Sequence, residues 1–251
     1  MRLPASNQEG TREIVAKVPM HVHSTHMDFV TSVESDTLYP IAFRNREALN
    51  NWASGHGLHS YKIGSFTKDK SAVSLRGSLS VWPSGGIFYS QVWVRARFKN
   101  YRKSILRHLV DSNDLDGDVG KYDADHAVSK KRLTKEWPDA WVNLTLVDHS
   151  INRSVGAMLE KEPLLSDSSS SVIYANLEFL LKLFCQFKGR MTRDELQAYF
   201  DEAGNRFLSN PTDLDSFVFV NNANVFLTKI ADDNGLKNSR RPAFMHMMLP
   251  H

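Results

Sequence analysis

The chain has 251 residues, of which 41% are hydrophobic and 24% charged, and its formal net charge is +3. This composition is typical of a globular protein and excludes intrinsic disorder or a fibrous architecture for the chain as a whole. Because no apolar run approaches the roughly 20 residues of a membrane-spanning helix, the sequence also excludes a membrane-spanning protein.

The single cysteine, Cys185, limits the chemistry that the chain can carry. One thiol forms no intramolecular disulfide and cannot supply a zinc site built from several thiolates, so we expect no structural zinc. The first residues, MRLPASNQEG, show no apolar segment behind Arg2, and a secretory signal is therefore not expected. The sequence favours a reducing, cytoplasmic location and no membrane partner.

Histidines are frequent near the N-terminus. In the segment HVHSTHMD, residues 21–28, strand alternation would place His21 and His23 on one face, and Asp28 follows closely. These side chains are candidate metal ligands, but nothing else in the segment supports a metal site.

Residues 61–98 have the pattern of β-structure. The runs SAVSLRGSLSVW and IFYSQVWVRARF are rich in β-forming residues, and Pro83-Ser84-Gly85-Gly86 between them is typical of a hairpin turn. Alternation along the second run separates an apolar face from a face of aromatic and cationic side chains. The second face suits stacking on bases and pairing with phosphates, and the alternative is an amphipathic solvent-exposed face. It consists of Tyr89, Gln91, Trp93, Arg95 and Arg97.

Charge is distributed unevenly between residues 95 and 135. Six basic residues and no acid lie from Arg95 to Arg107, where residues 99–110 are predicted to form a short basic helix. Six aspartates follow from Asp111 to Asp125, and a second basic cluster begins at Lys130. This order is expected where a phosphate backbone is held against a metal, although a basic face neutralised by its own acidic loop is the alternative. The predicted nucleic-acid contacts are Arg95, Arg97, Lys99, Arg102, Lys103, Lys130, Lys131, Arg132 and Arg153.

The acidic stretch also has some features of a calcium-binding loop. Asp114, Asp116 and Asp118 fall at the first, third and fifth positions of an EF-hand, with Asp125 at the twelfth. The position that requires glycine is occupied by Val119, and no flanking pair of helices is evident. The calcium loop is kept as an alternative.

The segment with the most chemistry is residues 122–161. Asp125 and His126 end the acidic stretch, and a long polar connection leads to a strand-like VNLTLV headed by Asn143 and a helix-like SINRSVGAMLEK. A histidine with a pKa near neutrality can take a proton from water, and the oxygens of Asp125 and Asn152 are hard ligands suited to Mg²⁺. Adjacent strand residues point to opposite sides, so Asp125 and His126 can serve metal and water separately. These parts suit hydrolysis of a phosphodiester bond.

The order Asp-His, then Asn on the next strand, then Asn in the following helix resembles the HNH, or ββα-metal, endonuclease superfamily. The resemblance implies that His126 is the general base and that Asn143 orients the water or braces the loop. It also implies that Asp125 and Asn152 bind Mg²⁺ or Mn²⁺. The spacings, 17 residues from His126 to Asn143 and 9 more to Asn152, are most similar to the variant found in RNA-guided nucleases.

The resemblance covers about forty residues, and two features depart from the family pattern. Ala127-Val128-Ser129 follow the first histidine, where many members have an apolar residue and a proline. One cysteine cannot form the two Cys pairs that brace many members, so the flanking regions must provide the bracing. Asp123 is either a further ligand or a local negative charge, and His149 is either a second ligand or a capping or solvent-exposed residue.

The C-terminal third is predicted to be helical. The segment VIYANLEFLLKLFCQF, residues 172–187, is apolar nearly all round and is predicted to form a buried helix. Thr192 and Glu195 form a capping box that opens a helix ending near Phe207, and a final helix is expected over residues 222–231. The serine run at residues 168–171 is a candidate linker.

The sequence therefore predicts an α+β protein with three regions. These are a β-rich N-terminal region (1–110) with a nucleic-acid-binding surface, an HNH ββα-metal nuclease segment (111–165) and a helical C-terminal region (166–251). The expected function is metal-dependent endonucleolytic cleavage of nucleic acid, with double-stranded DNA as the expected substrate. Family analogy suggests restriction or phage defence. The alternatives are a non-catalytic nucleic-acid-binding or scaffold subunit and an HNH-fold ribonuclease toxin.

Overall fold

A computed structural model describes residues 29, 30, 32, 39–63, 71–81, 85–111, 119–159, 169–186, 191–209 and 216–239. The elements bounded within these ranges are seven strands and seven α-helices, which confirms the predicted α+β class. The strands are β1 (Pro40–Phe43), β2 (His59–Lys62), β3 (Ala72–Val81), β4 (Gly85–Arg95), β5 (Tyr122–His126), β6 (Trp141–Asp148) and β7 (Val172–Tyr174). The helices are α1 (Arg46–Gly55), α2 (Tyr101–Asp111), α3 (Lys130–Glu136), α4 (His149–Leu159), α5 (Leu177–Phe184), α6 (Leu196–Leu208) and α7 (Ser216–Asn234).

Strand β6 is the centre of an antiparallel sheet. The sheet has the order β2-β3-β4-β6-β1-β7, and β5 pairs with β6 outside this order. Val142 of β6 lies between β4 on one edge and Ala42 of β1 on the other. Two residues further along, Leu144 lies between β4 and His126 of β5. Strands β1 and β5 therefore follow one another along the same edge of β6, opposite β4.

The three regions predicted from the sequence share this sheet. Residues 1–110 supply β1 to β4, residues 111–165 supply β5 and β6, and residues 166–251 supply β7. Strand β7 pairs with β1 through Ile173 opposite Ala42, and β6 pairs with both β1 and β4. Hydrogen bonds between strands that are distant in the sequence thus join the regions, and the boundaries at residues 110 and 165 do not separate independent sheets.

The face of β4 that carries Trp93 packs into a second hydrophobic core. The sequence had predicted either a nucleic-acid-binding face or an amphipathic solvent-exposed face there. Trp93 is fully buried, and its ring centroid lies 5.1 Å from that of Phe43. Apolar side chains of α1, Leu49 and Ala53 among them, complete this core. Because α1 covers the face, Trp93 is unavailable for stacking on a base, and its predicted stacking role is wrong. The side chain of Tyr89 lies outside the described residues.

Several local predictions are confirmed. Strands β3 and β4 pair in antiparallel register as predicted, although Gly85 and Gly86 of the predicted turn belong to β4. Helix α2 buries Ile105 and Leu109 and exposes its cations. Before α6, the Glu195 carboxylate accepts hydrogen bonds from the Thr192 N–H at 2.8 Å and the Thr192 hydroxyl at 2.7 Å, which is one half of the predicted capping box, and the helix itself begins only at Leu196.

Residues 172–187 do not form one helix as predicted. Residues 172–174 form β7, and α5 begins only at Leu177, where the Asn176 side chain accepts a hydrogen bond from the Phe179 N–H at 3.1 Å. A short buried strand and a buried helix have similar apolar composition, so the sequence pattern did not separate them. The prediction of burial is confirmed for α5, in which every residue is buried. The final helix, α7, is longer than the predicted 222–231.

Some predicted features lie outside the described residues. These are His21, His23 and Asp28, the aspartates Asp114, Asp116 and Asp118 of the calcium-loop alternative, and Pro83 and Ser84 of the turn. Among the residues that are described, no helix combines the length and the apolar character needed to cross a membrane.

Replacing Trp93 by alanine tests the second core. We expect Trp93→Ala to lower the free energy of unfolding by about 3–5 kcal/mol in urea denaturation, because the substitution leaves a cavity in a packed core. The control is Val225→Ala, at a side chain that is 65% exposed, with an expected change below about 0.5 kcal/mol. Unchanged stability together with weakened nucleic-acid binding would instead support a stacking role for Trp93.

Candidate active site

Strands β5 and β6 and helix α4 form a strand–strand–helix unit in the order that the sequence predicts. The two strands are antiparallel, and α4 begins at the residue that follows β6. Asp148 marks this junction, since its Oδ1 accepts hydrogen bonds from the Ser150 N–H at 2.8 Å and the Ser150 hydroxyl at 2.6 Å. Capping of this kind satisfies free N–H groups at a helix start and directs α4 back along the hairpin.

Alternation along β5 separates its functional side chains. Asp123 and Asp125 lie opposite Val147 and Thr145 on one face of the sheet, and His126 lies opposite Leu144 on the other. As the sequence predicts, the carboxylate of Asp125 and the imidazole of His126 therefore point to opposite sides of the strand. Helices α4 and α5 contribute side chains on the carboxylate face, and α2 contributes them on the imidazole face.

Asp123, His149 and Asn152 meet between β5 and α4. Asp123 Oδ1 lies 2.8 Å from His149 Nδ1, and Asp123 Oδ2 accepts a hydrogen bond from Asn152 Nδ2 at 3.2 Å. The second ring nitrogen of His149, Nε2, lies 2.8 Å from the carbonyl oxygen of Gly120. The helix thus presents an imidazole and an amide to one carboxylate of the strand. Sequence reasoning left the roles of Asp123 and His149 open, and the structure brings both to Asn152.

These donors suit a hard divalent cation. The Asp123 carboxylate lies 2.8 Å from Nδ1 of His149, so both groups could contact one cation. The Asn152 atom that lies 3.2 Å from Asp123 is the amide nitrogen, and Asn152 would have to present its oxygen to a cation instead. Mg²⁺ commonly uses one or two carboxylates and keeps several waters, so a sparse set of protein ligands is sufficient. In the described part of the chain, no group of three or more His, Cys, Asp or Glu side chains could hold a metal. The amide of Asn152 and water would therefore complete the shell.

Asp125 has a different partner. Its Oδ2 lies 2.6 Å from Nζ of Lys182, which also lies 2.8 Å from Glu178 Oε1. Arg132 Nη2 lies 3.2 Å from Glu178 Oε2, and Arg132 donates to the carbonyl oxygen of Leu159 at the end of α4. We call Asp125, Lys182, Glu178 and Arg132 the buried ion-pair chain. Burial lowers the pKa of Lys182, but the carboxylates of Asp125 and Glu178 outweigh burial and hold that pKa above its ordinary value.

His126 is held neutral in a buried position. The residue is 6% exposed, and its ring centroid lies 4.6 Å from that of Tyr101 in α2. Burial, with the positive charges of Lys130 and Lys182, lowers the pKa of His126 to about 3. Nε2 has no hydrogen-bond partner among the described residues. The neutral imidazole keeps a lone pair on Nε2, but a pKa of about 3 makes it a weak base at neutral pH, so the pKa near neutrality that the sequence led us to expect is wrong for this structure.

Asn143 supports the loop through its backbone. Its carbonyl oxygen accepts a hydrogen bond from the N–H of Ala127, the residue after His126, at 2.9 Å. Its side chain is buried and donates a hydrogen bond to Gln91 Oε1 at 3.0 Å. The same oxygen accepts a hydrogen bond from Trp93 Nε1 at 3.0 Å. The side chain of Asn143 is therefore part of the packed sheet face, and the bracing of the His126 loop comes from the main chain.

The predicted nucleic-acid contacts divide into exposed and internally bonded residues. Arg95 pairs with Asp139, Arg102 donates to the Tyr122 carbonyl at 3.0 Å, and Arg132 belongs to the buried ion-pair chain. Helix α2 therefore lies beside β5, through both Arg102 and Tyr101. Arg95 and Arg102 are exposed as well as bonded, and the other exposed cations are Arg97 and Lys99 just before α2, Lys103 in its first turn, Lys130 and Lys131 at the start of α3, and Arg153 on α4.

Sequence reasoning missed Lys182, Glu178 and Tyr101. Glu178 and Lys182 are the only charged residues of α5 and are spaced by four, a pattern that can indicate an ion pair inside an otherwise apolar helix. Nothing in the local sequence indicates their contact with Asp125.

The chain matches no protein-family model, no curated protein and no solved structure.

The pH dependence of stability tests the environment of His126. Because its pKa is about 3 when folded and about 6.5 when unfolded, the unfolded state binds the proton first as the pH falls. The contribution is present above about pH 6.5 and decreases toward pH 3. Between pH 7 and pH 4 we expect it to remove about 3 kcal/mol from the free energy of unfolding. His126→Gln should lack this part of the loss in urea denaturation, and identical pH profiles would contradict the assignment.

Proposed function

We propose that the chain is a metal-dependent endonuclease that hydrolyses phosphodiester bonds of nucleic acid, with double-stranded DNA as the expected substrate. The observation that carries the proposal is the β5–β6–α4 unit. It gathers a carboxylate, an imidazole and an amide between strand and helix, and it ends its first strand in Asp125 and His126. The resemblance of the sequence to the HNH superfamily points to the same unit.

In this proposal the two faces of β5 have separate tasks. On one face, Asp123, His149 and Asn152 would hold a divalent cation, Mg²⁺ or Mn²⁺, and Asp125 lies two residues along the same face. A cation bound there would shield the negative charge of the phosphate and stabilise the leaving oxygen. On the other face, His126 would accept the proton of the attacking water, which requires that the negative charge of a bound phosphate raise its pKa from about 3 toward neutrality. Asn143 keeps the His126 loop in place through its backbone carbonyl.

The exposed cations support a substrate surface beside His126. Tyr101 contacts the His126 ring and Arg102 bonds to β5, so the start of α2 lies against the catalytic strand. Arg97, Lys99 and Lys103 lie within four residues of Tyr101 in the chain and are exposed. Cations in this position bind phosphates of any sequence, which suits positioning of a nucleic-acid backbone.

Cleavage by a His126 variant tests the proposed base. We expect wild type to cut supercoiled plasmid in Mg²⁺ or Mn²⁺ and to be inactive in EDTA. His126→Ala should reduce the cleavage rate by about 10²–10⁴ while nucleic-acid binding and Mn²⁺ affinity are retained. His59→Ala, an exposed histidine on β2, is the matched control and should keep the wild-type rate. Parallel assays on single-stranded DNA and on RNA separate a DNase from a ribonuclease toxin, and no cleavage of any substrate would favour a non-catalytic subunit.

Substitutions of the proposed ligand and support residues should change the cleavage rate and its dependence on metal concentration in different ways. Asn152→Ala removes a neutral ligand, so raised Mg²⁺ or Mn²⁺ should recover part of the cleavage rate. Asp125→Ala removes a charge and should be harder to recover. Asn143→Ala should reduce stability more than cleavage, because its side chain bonds to Gln91 and its backbone carbonyl is unchanged. Cleavage rate against metal concentration distinguishes these outcomes, and the same metal dependence in all three variants would contradict the assignment.

The salt dependence of binding tests the substrate surface. The triple variant Arg97→Ala/Lys99→Ala/Lys103→Ala should weaken DNA binding about equally for all sequences. It should also reduce the slope of log affinity against log salt by up to about 3. A control of equal charge change replaces three exposed cations elsewhere, Arg193, Lys229 and Lys237, with alanine. Equal slopes for the two triple variants would place the binding surface away from α2.

A further inference from the structure

The Asp125–His126 pair is held by one ammonium group from a distant helix. Lys182 Nζ lies 2.6 Å from the Asp125 carboxylate and donates to the backbone carbonyl oxygen of His126 at 3.2 Å. Lys182 is 56 residues beyond His126 in the chain, and its side chain is 1% exposed. A single buried cation therefore contacts both Asp125, which lies on the same strand face as the proposed cation ligand Asp123, and His126, to which the proposed function assigns proton transfer.

Fold stability alone does not require these charges. Taking an ion pair out of water costs so much that well-packed apolar residues of similar size are often equally or more stabilising. Helix α5 is otherwise apolar and every residue in it is buried, so apolar side chains at positions 178 and 182 would continue its pattern. Glu178 and Lys182 are instead the two exceptions, and both belong to the chain of contacts that ends on Asp125.

We propose that Lys182 is a positioning residue of the active centre, which holds the Asp125 carboxylate and the His126 backbone, and that Glu178 offsets its charge. This inference rests on the proposed function. The buried ion-pair chain contains two cations and two carboxylates and adds no net charge beside Asp123. Without Glu178, the ammonium of Lys182 would repel a divalent cation from the carboxylate face of β5.

The two charges should therefore have opposite effects on cation binding. Lys182→Met leaves one uncompensated negative charge and should raise the affinity for Mn²⁺ about tenfold or more. Glu178→Gln leaves one uncompensated positive charge and should lower that affinity by a similar factor. Both variants should cut DNA more slowly. Two substitutions that merely loosened the structure would both lower the Mn²⁺ affinity, so the opposite signs distinguish positioning from general destabilisation.

A double variant keeps the test valid if removal of one charge prevents folding. Glu178→Gln/Lys182→Met keeps the net charge, so its Mn²⁺ affinity should stay within about threefold of wild type. Its cleavage rate should fall at least about tenfold, because Asp125 and His126 are no longer held. The control removes a more exposed pair of the same spacing from α6, Glu202→Gln/Arg206→Met, whose side chains lie 3.1 Å apart. This control should retain wild-type affinity and cleavage.

The experiment measures Mn²⁺ binding to the full chain by electron paramagnetic resonance, plasmid cleavage in Mn²⁺ and near-ultraviolet circular dichroism of each variant. Opposite shifts in affinity, or a folded double variant that binds Mn²⁺ but cuts slowly, would support the inference. Shifts of the same sign, unchanged values in all variants, or loss of folding in every one would overturn it while the proposed function stands. A wild-type chain that neither binds Mn²⁺ nor cuts would overturn the proposed function itself, and the inference with it.

Discussion

The register of β5 against β6 is the constraint on which the candidate site depends. Asp125 lies opposite Thr145 and His126 opposite Leu144, so the carboxylate faces α4 and α5 and the imidazole faces α2. A slip by one residue would exchange these faces and place the imidazole beside Lys182. Strand β6 resists such a slip because residues 141–147 are all buried and the strand is bonded along both edges. The whole sheet, rather than a local loop, therefore positions the site.

Asp123 and Asp125 place two carboxylates on one face of β5, and each is paired with a different partner. Asp123 is bonded to groups of α4, the helix that completes the hairpin unit, whereas Asp125 is bonded to Lys182 of α5. The C-terminal region thus contributes to the site through α5 and to the sheet through β7. A buried ion-pair chain connects β5, α3, α4 and α5. Such a chain carries a large desolvation cost, which is consistent with a role that apolar packing could not fill.

Features that depend on residues close together in the sequence could be predicted, whereas contacts between distant residues could not. The hairpin, the basic helix α2, the Thr192–Glu195 contact before α6 and the strand–strand–helix order all follow from patterns within a few residues, and the structure contains each of them. The burial of Trp93 depends on α1, which folds back from elsewhere in the chain. The contact between Asp125 and Lys182 joins residues far apart in sequence, and only the sheet brings them together. Likewise, Asn152 was expected beside Asp125 but bonds to Asp123. The local sequence does not distinguish the two aspartates, and the register of β5 against β6 and the direction of α4 determine which one Asn152 reaches.

The central claim is that a divalent cation binds between β5 and α4. The most direct measurement replaces Mg²⁺ with Fe²⁺, adds ascorbate and hydrogen peroxide, and maps by mass spectrometry where the metal-generated radicals cut the polypeptide. The account predicts cuts near residues 123–126 and 149–152 that excess Mg²⁺ suppresses and that Asp123→Asn abolishes. Cuts confined to the aspartates at 114–118 or to the histidines at 21–26, or a pattern unaffected by Mg²⁺, would contradict it.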